Sequence, residues 1–97
     1  ASQAVLSNSD ERLKSNIVSI DDALGKIKSS RGVSFNRNES PEIKELGVIA
    51  QEIEKYIPEV VYKDNKDYLS VNYGGIVPVL IEAIKELEAR VQELENK

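Results

Sequence analysis

The segment Val77-Pro78-Val79-Leu80-Ile81-Glu82-Ala83-Ile84-Lys85-Glu86-Leu87-Glu88-Ala89-Arg90-Val91-Gln92-Glu93-Leu94 carries the strongest structural signal in the chain. Val77, Leu80, Ile84, Leu87, Val91 and Leu94 recur at alternating spacings of three and four. That is a heptad pattern, with Val77, Ile84 and Val91 at a positions and Leu80, Leu87 and Leu94 at d positions. It predicts one helix over about 76–96. The helix either packs its apolar face on its own domain or pairs along that seam with other copies. From Glu86 to Lys97 every side except the seam is charged or polar, and so narrow a stripe suits a coiled-coil partner better than a broad core. In a parallel arrangement Arg90 at g reaches Glu95 at e of the partner. β-branched a residues with Leu at d favour two strands, whereas Ile81 at e and Ala83 at g widen the apolar face near the helix start and admit a third.

Upstream of this helix the elements read as short. Leu13 to Ile20 is rich in Ile and Val and alternates imperfectly, which suggests a strand leading to Asp21 as N-cap of a helix from Asp22 to Ser29, ended before Gly32. Val33-Ser34-Phe35 alternates as a strand does and runs into the polar stretch Asn36 to Ser40 and Pro41, an exposed, mobile loop or hairpin tip. Gly47 opens a second helical pattern, with Ile49, Ile53 and Tyr56 or Ile57 at helical spacing until Pro58 stops it. Val60-Val61-Tyr62 and Tyr68-Leu69-Ser70-Val71 flank the turn formers Asp64-Asn65-Lys66-Asp67 and predict a small hairpin. The fold class expected is α+β: a small mixed domain of short strands and helices, with the long C-terminal helix in a parallel coiled coil that the seam alone would make a dimer and that the family resemblance drawn from the motifs at Ser9 and beyond makes a parallel homotrimeric coiled coil.

Composition bounds the function. A chain of 97 residues is one domain's worth, and it buries only roughly 60 to 70% of its unfolded surface, which argues against a large enzyme with a deep pocket. Seventeen acids against thirteen bases give a net charge of −4 and a pI near 4.9. That balance, with no basic stripe, argues against direct nucleic-acid binding. Absence of His and Cys excludes histidine triads, thiol chemistry and ordinary zinc sites, and neither a metal nor a cofactor is expected. The longest apolar stretch, Ile76 to Ile81, is interrupted by Pro78 and is too short for a membrane span, so no membrane partner is expected. Residues 1–8, Ala1 to Asn8, read as a polar lead-in, the end of an upstream body, and 9–97 as the module. With no Met at position 1, the chain is expected to begin inside a longer polypeptide.

Chemistry enters at Ser9-Asp10-Glu11-Arg12-Leu13-Lys14-Ser15-Asn16-Ile17. A Ser and a Lys five residues apart mean little alone, and Ser9 reads equally as a helix N-cap followed by first-turn acids. Three later segments change that: Gly47-Val48-Ile49-Ala50-Gln51-Glu52-Ile53-Glu54, Pro58-Glu59-Val60-Val61, and Tyr68-Leu69-Ser70-Val71-Asn72-Tyr73 leading into the C-terminal helix. In this order the four segments resemble the C-terminal intramolecular chaperone domain of phage endosialidases, tailspikes, neck appendages and tail fibres, which also occurs in the myelin regulatory factor transcription factors. The resemblance runs from Ser9 to about Leu87.

The resemblance implies a self-cleaving serine-lysine endopeptidase that is also a trimerisation chaperone: it brings three chains together, assists folding of the upstream body and is then cut off, acting once. Its partners would be two further copies and the upstream part of the same polypeptide. Its place would be the host cytoplasm during virion assembly, with release from the finished tail protein. By the same resemblance the nucleophile falls on Ser9 and the lysine on Lys14, with Asp10, Arg12 and Asn16 supporting the site. Lysine serves as base when burial or nearby positive charge lowers its pKa from about 10.4. Arg12 is a candidate for that charge, unless it pairs with Asp10 or Glu11. Attack on the carbonyl preceding Ser9 passes through a five-membered ring and attack on its own carbonyl through a four-membered one. Cleavage is therefore expected between Asn8 and Ser9, with Ser9–Asp10 as runner-up. Asn16 or a backbone N–H would serve the oxyanion. Gln51 and Glu52 are open to capping, bridging protomers or facing water, and Tyr68 and Tyr73 are expected as core or interface aromatics. The alternative function is a non-catalytic trimerisation domain of a fibrous or regulatory protein.

Overall fold

The computed structural model describes residues 6–97, so most of the 1–8 lead-in lies outside the described residues. The chain forms a small α+β domain: α1 (Ala23–Lys28), β1 (Val33–Arg37), β2 (Ser40–Gly47), α2 (Ala50–Ile53), β3 (Val61–Lys63), β4 (Leu69–Val71) and α3 (Val77–Glu95). The strands make two separate antiparallel pairs, β1 with β2 and β3 with β4. Six of the described residues are buried: Ala23, Ile53, Ile57, Val60, Val79 and Ala83. They come from α1, the α2 region and the first half of α3, and Ile20, Leu24 and Ile27 pack around them.

Leu13 to Ile20 is not a strand. Asp10 caps a 3-10 turn, Glu11–Leu13, after which the chain runs without a sheet partner to Asp21. Asn16 has φ 56°, the left-handed region in which Asn is among the better tolerated residues, and this breaks the apolar alternation. Only Ile20 of this strap is drawn into the core, while Leu13, Ile17 and Val18 stay exposed. The cap of α1 also differs from the expectation. Asp22 rather than Asp21 sits at the N-cap, at φ 51° and with no side-chain cap bond. The free N–H groups of Ala23 and Leu24 donate instead to Glu86 Oε2, at 2.8 and 3.4 Å. A carboxylate from the far end of the sequence thus does the capping and ties α1 to α3.

The polar stretch Asn36 to Ser40 is a strand end and a tight turn, not a loose loop. Arg37 pairs with Ser40, and the register shifts between Asn36, opposite Lys44, and Arg37. The extra residues Pro41 to Ile43 form a bulge, where a proline lacking its N–H is tolerated. Asn36 Nδ2 donates across it to the carbonyls of Pro41 and Ile43, at 3.0 and 2.9 Å.

Gly47 closes β2 and opens no helix. The Val48 N–H donates to the Tyr73 hydroxyl at 3.1 Å, and a Cβ on Gly47 would meet that hydroxyl at 2.5 Å and the Phe35 ring at 3.1 Å. Pinned there, the chain becomes helical only over Ala50–Ile53, and Pro58 starts a 3-10 turn, Pro58–Val60. The helical spacing nevertheless delivers Ile53 and Ile57 to the core.

The β3–β4 hairpin forms where its turn residues predict it. Asp64 Oδ1 accepts from the N–H groups of Lys66 and Tyr68, at 2.8 and 3.0 Å. Tyr68 is 71% and Tyr73 52% exposed, so neither is a core aromatic. The C-terminal helix packs on its own domain along one face and leaves its heptad seam largely exposed. Val79 and Ala83 are buried and Glu86 holds α1. Val77, Leu80, Ile84, Leu87, Val91 and Leu94 are 40 to 65% exposed, and from Leu87 onward every residue is exposed. No helix among the described residues is long and apolar enough to cross a membrane.

Candidate functional site

The Ser9-to-Lys14 stretch owes its geometry to the capped turn. Asp10 Oδ1 accepts from the Arg12 N–H at 2.8 Å, and the backbone N–H groups of Leu13 and Lys14 donate to the carbonyls of Asp10 and Glu11 at 3.0 and 3.1 Å. This one turn reverses the chain enough to bring side chains five residues apart together: Lys14 Nζ donates to Ser9 Oγ at 2.6 Å. Arg12 folds back on Asp10, with Nε at 3.1 Å from Oδ1 and Nη2 at 2.9 Å from Oδ2. Of the two partners open to it, Arg12 therefore takes Asp10. The Arg12 guanidinium and its backbone N–H hold the Asp10 carboxyl below its usual pKa, and the pairing raises that of Arg12.

An amine beside a hydroxyl at this distance is the arrangement that lets a free amine take the hydroxyl proton as oxygen attacks a carbonyl. In the single chain the pair is open to water, since Asn8, Ser9 and Lys14 are all exposed. Asn16 makes no hydrogen bond to Ser9 or Lys14, and its contribution here is the left-handed turn. A cleft of about 410 Å³, lined by Phe35, Arg37, Gln51, Leu69 and Tyr73 among others, includes no residue of the Ser9-to-Lys14 stretch.

Glu52 is partly exposed and spends its carboxylate on Arg31. It accepts from Arg31 Nε and Nη2, at 2.8 and 2.9 Å, and the bidentate guanidinium holds its carboxyl below the ordinary range. Gln51 is exposed at the rim of the large cleft. Sequence reasoning missed the Arg31–Glu52 pair, the Glu86 cap and the Tyr73–Val48 bond, because each joins residues 21 to 63 positions apart and no local pattern marks such partners.

Similarity to known proteins bears on the same residues. The chain matches the profile of a peptidase-labelled family described as "Chaperone of endosialidase" over residues 9–62. It is 40% identical over 98 residues to the long tail fiber protein Gp37 of Enterobacteria phage K3, covering 92% of this chain and 8% of that protein. Gp37 of Enterobacteria phage T2 is equally similar, with 7% of its length covered. The Gp37 of Enterobacteria phage M1 is 32% identical, with 39% of its length covered. The chain therefore spans less than a tenth of the first two relatives. A match that begins at Ser9 and takes in the capped turn, the whole β1–β2 hairpin and α2 is the ground for assignment: the chain belongs to the chaperone-of-endosialidase family.

Proposed function

We propose that this chain is the assembly domain of a phage tail fibre: it trimerises through α3, assists folding of the upstream part of the same polypeptide, and then severs itself from it next to Ser9. The observation that carries the chemistry is the 2.6 Å contact between Lys14 Nζ and Ser9 Oγ. Lys14, as the free amine, takes the Ser9 Oγ proton while Oγ attacks the Asn8 carbonyl carbon. The Asn8–Ser9 C–N bond then breaks, its nitrogen receives the proton from the Lys14 ammonium, and Asn8 is left as an ester on Ser9 Oγ. Water hydrolyses the ester, giving an Asn8 carboxylate and a free Ser9 amine.

The openness of the pair in one chain favours making the reaction conditional on assembly, since only desolvation by other copies would favour the uncharged amine. The same openness is the one observation on the side of a non-catalytic trimerisation domain. The setting is the host cell during fibre assembly, with release once the fibre is built. Expressing the domain with its native upstream segment and mapping fragment ends by mass spectrometry tests the proposal: a new N-terminus at Ser9 is expected. An intact precursor that nonetheless forms fibres would favour the non-catalytic reading, and an N-terminus at Asp10 would move the cut to the Ser9–Asp10 bond.

A further inference from the structure

The β3–β4 pair ends in an edge that the domain leaves open. The Asn72 N–H donates to the Val60 carbonyl at 2.8 Å and the Asp64 N–H to the Tyr68 carbonyl at 3.0 Å. In an antiparallel ladder, residues that turn their backbone groups to the partner strand alternate with residues that turn them away. Tyr68, Ser70 and Asn72 therefore face β3, while the N–H and C=O groups of Leu69 and Val71 point outward from β4. Among the described residues no third strand pairs with that edge, and no other hydrogen bond engages it. A ribbon of two three-residue strands is marginal by itself, and a third strand is what such a sheet lacks. Leu69-Ser70-Val71 also carries no charge and no proline, two usual means of blunting an edge. The edge borders the cleft of about 410 Å³, where Leu69 and Val71 are joined by Phe35 and Arg37 from β1 and by Gln51 and Tyr73. The Tyr73 hydroxyl accepts from Val48 and keeps its own proton to donate. Arg37 gives Nε to Glu45, and among the described residues its Nη groups have no partner.

We infer that this cleft receives an extended segment of the upstream polypeptide, which adds to β4 as a third strand while its own strands are still unpaired. The inference rests on the chaperone role proposed above and names where the domain grips its client. Strand addition draws affinity from main-chain bonds and selectivity from pockets for alternate side chains. Leu69 and Val71 offer two donors and two acceptors along one edge, a pattern that an extended backbone matches and a small ion does not. Successive side chains of an added strand point to opposite faces. Those on the Leu69 and Val71 face meet Phe35 and Tyr73, which calls for apolar residues at every second position, and Arg37 takes a carboxylate or amide oxygen. The length of the client argues for this occupant. The matched part is only 8% of the Gp37 of phage K3, so a fibre of that kind presents far more chain than the domain that follows it. Until its strands pair, that chain carries backbone groups in need of partners. Recognition through the backbone tolerates varied sequence, and it ends when the client's strands pair with one another.

Amide hydrogen exchange in the 97-residue chain tests this, with overlapping synthetic peptides that cover the native upstream segment as probes. In the free chain the Ser70 N–H is expected to exchange more slowly than those of Leu69 and Val71. A bound peptide is expected to slow Leu69 and Val71 by about tenfold or more and to leave Ser70 unchanged. Leu69→Pro removes an outward N–H at the first residue of a strand, where proline is tolerated. Gln51→Trp fills the cleft from an exposed position on its rim. Each variant is expected to abolish the protection. In the chain joined to its upstream segment, each is expected to lower the yield of folded upstream body while the sedimentation of the 97-residue chain stays unchanged. No slowing with any peptide, or an upstream body that folds at the unmodified yield beside Gln51→Trp, overturns the inference and leaves the chaperone role standing. Protection of Leu69 and Val71 in the chain alone that is lost on dilution assigns the edge to a second copy and also overturns it. An upstream body that folds equally well with the domain deleted overturns the chaperone role beneath it.

Discussion

Glu86 looks in the sequence like one more charge on a solvent face, yet it caps α1 in place of Asp22. Replacing it by Ala should cost about 1 kcal/mol, the usual value of a lost helix cap, read as a lower urea midpoint with unchanged m-value. Glu52 makes a pH-dependent contribution. Its folded pKa lies below the ordinary 4.5 because Arg31 holds it ionised. The stability it adds is therefore full above the unfolded value and lost as pH falls through the folded one. Melting temperature should drop between about pH 5 and pH 3, and less steeply in Glu52→Gln. At the proposed site, Ser9→Ala and Lys14→Ala should each abolish fragment release, followed by gel electrophoresis of the precursor, while the sedimentation of the precursor stays unchanged. Lys14→Arg should fail too, since a guanidinium does not surrender its proton near neutral pH. Normal release from any of the three would remove the dyad from the account. The contact between Ser9 and Lys14 was expected only through the family resemblance, since two such residues five apart mean little alone, whereas Glu86 and the Arg31–Glu52 pair depend on partners that only the fold brings near.

Elements with dense local signals were read closely and those set by distant contacts were not. The heptad run predicts 76–96 and α3 spans Val77–Glu95; the turn formers at Asp64–Asp67 mark the β3–β4 hairpin. The strap failed as a strand because Asn16 turns left-handed in its middle and breaks the alternation. The helix expected from Gly47 starts only at Ala50 and spans four residues, because Gly47 still belongs to β2 and Ile49 is extended at the N-cap. Of the β1–β2 hairpin, Val33-Ser34-Phe35 reads as a strand running into a loop or hairpin tip and does form β1, whereas the bulge hides the return strand's alternation. Its exposed Leu46 (82%) and Ile43 (52%) make it a candidate contact arm for the upstream body or a neighbouring copy. Deleting Arg37 to Pro41 should lower the yield of soluble, folded upstream body more than it lowers association of the isolated domain. Equal losses, compared by size-exclusion chromatography, would count against an arm.

A six-residue core is small for 97 residues, and the Cα radius of gyration of 16.9 Å exceeds the roughly 12.5 Å of a compact domain this long. The excess comes from α3, whose last turns leave the domain with the apolar seam uncovered. Six seam side chains per chain, each still 40 to 65% exposed and each gaining part of the roughly 1.5 to 3 kcal/mol of full burial before entropy is subtracted, would give the proposed association its driving force. If association also creates the dry surroundings in which Lys14 loses its proton, assembly and cleavage are one event. Replacing Ile84 and Leu87 together with Asp would set carboxylates facing one another in the bundle while leaving Ser9 and Lys14 in place. Sedimentation equilibrium run alongside a cleavage time course on that variant is the most direct measurement. The account predicts a monomer that no longer cuts itself, and a monomer that cuts at the unmodified rate would contradict it.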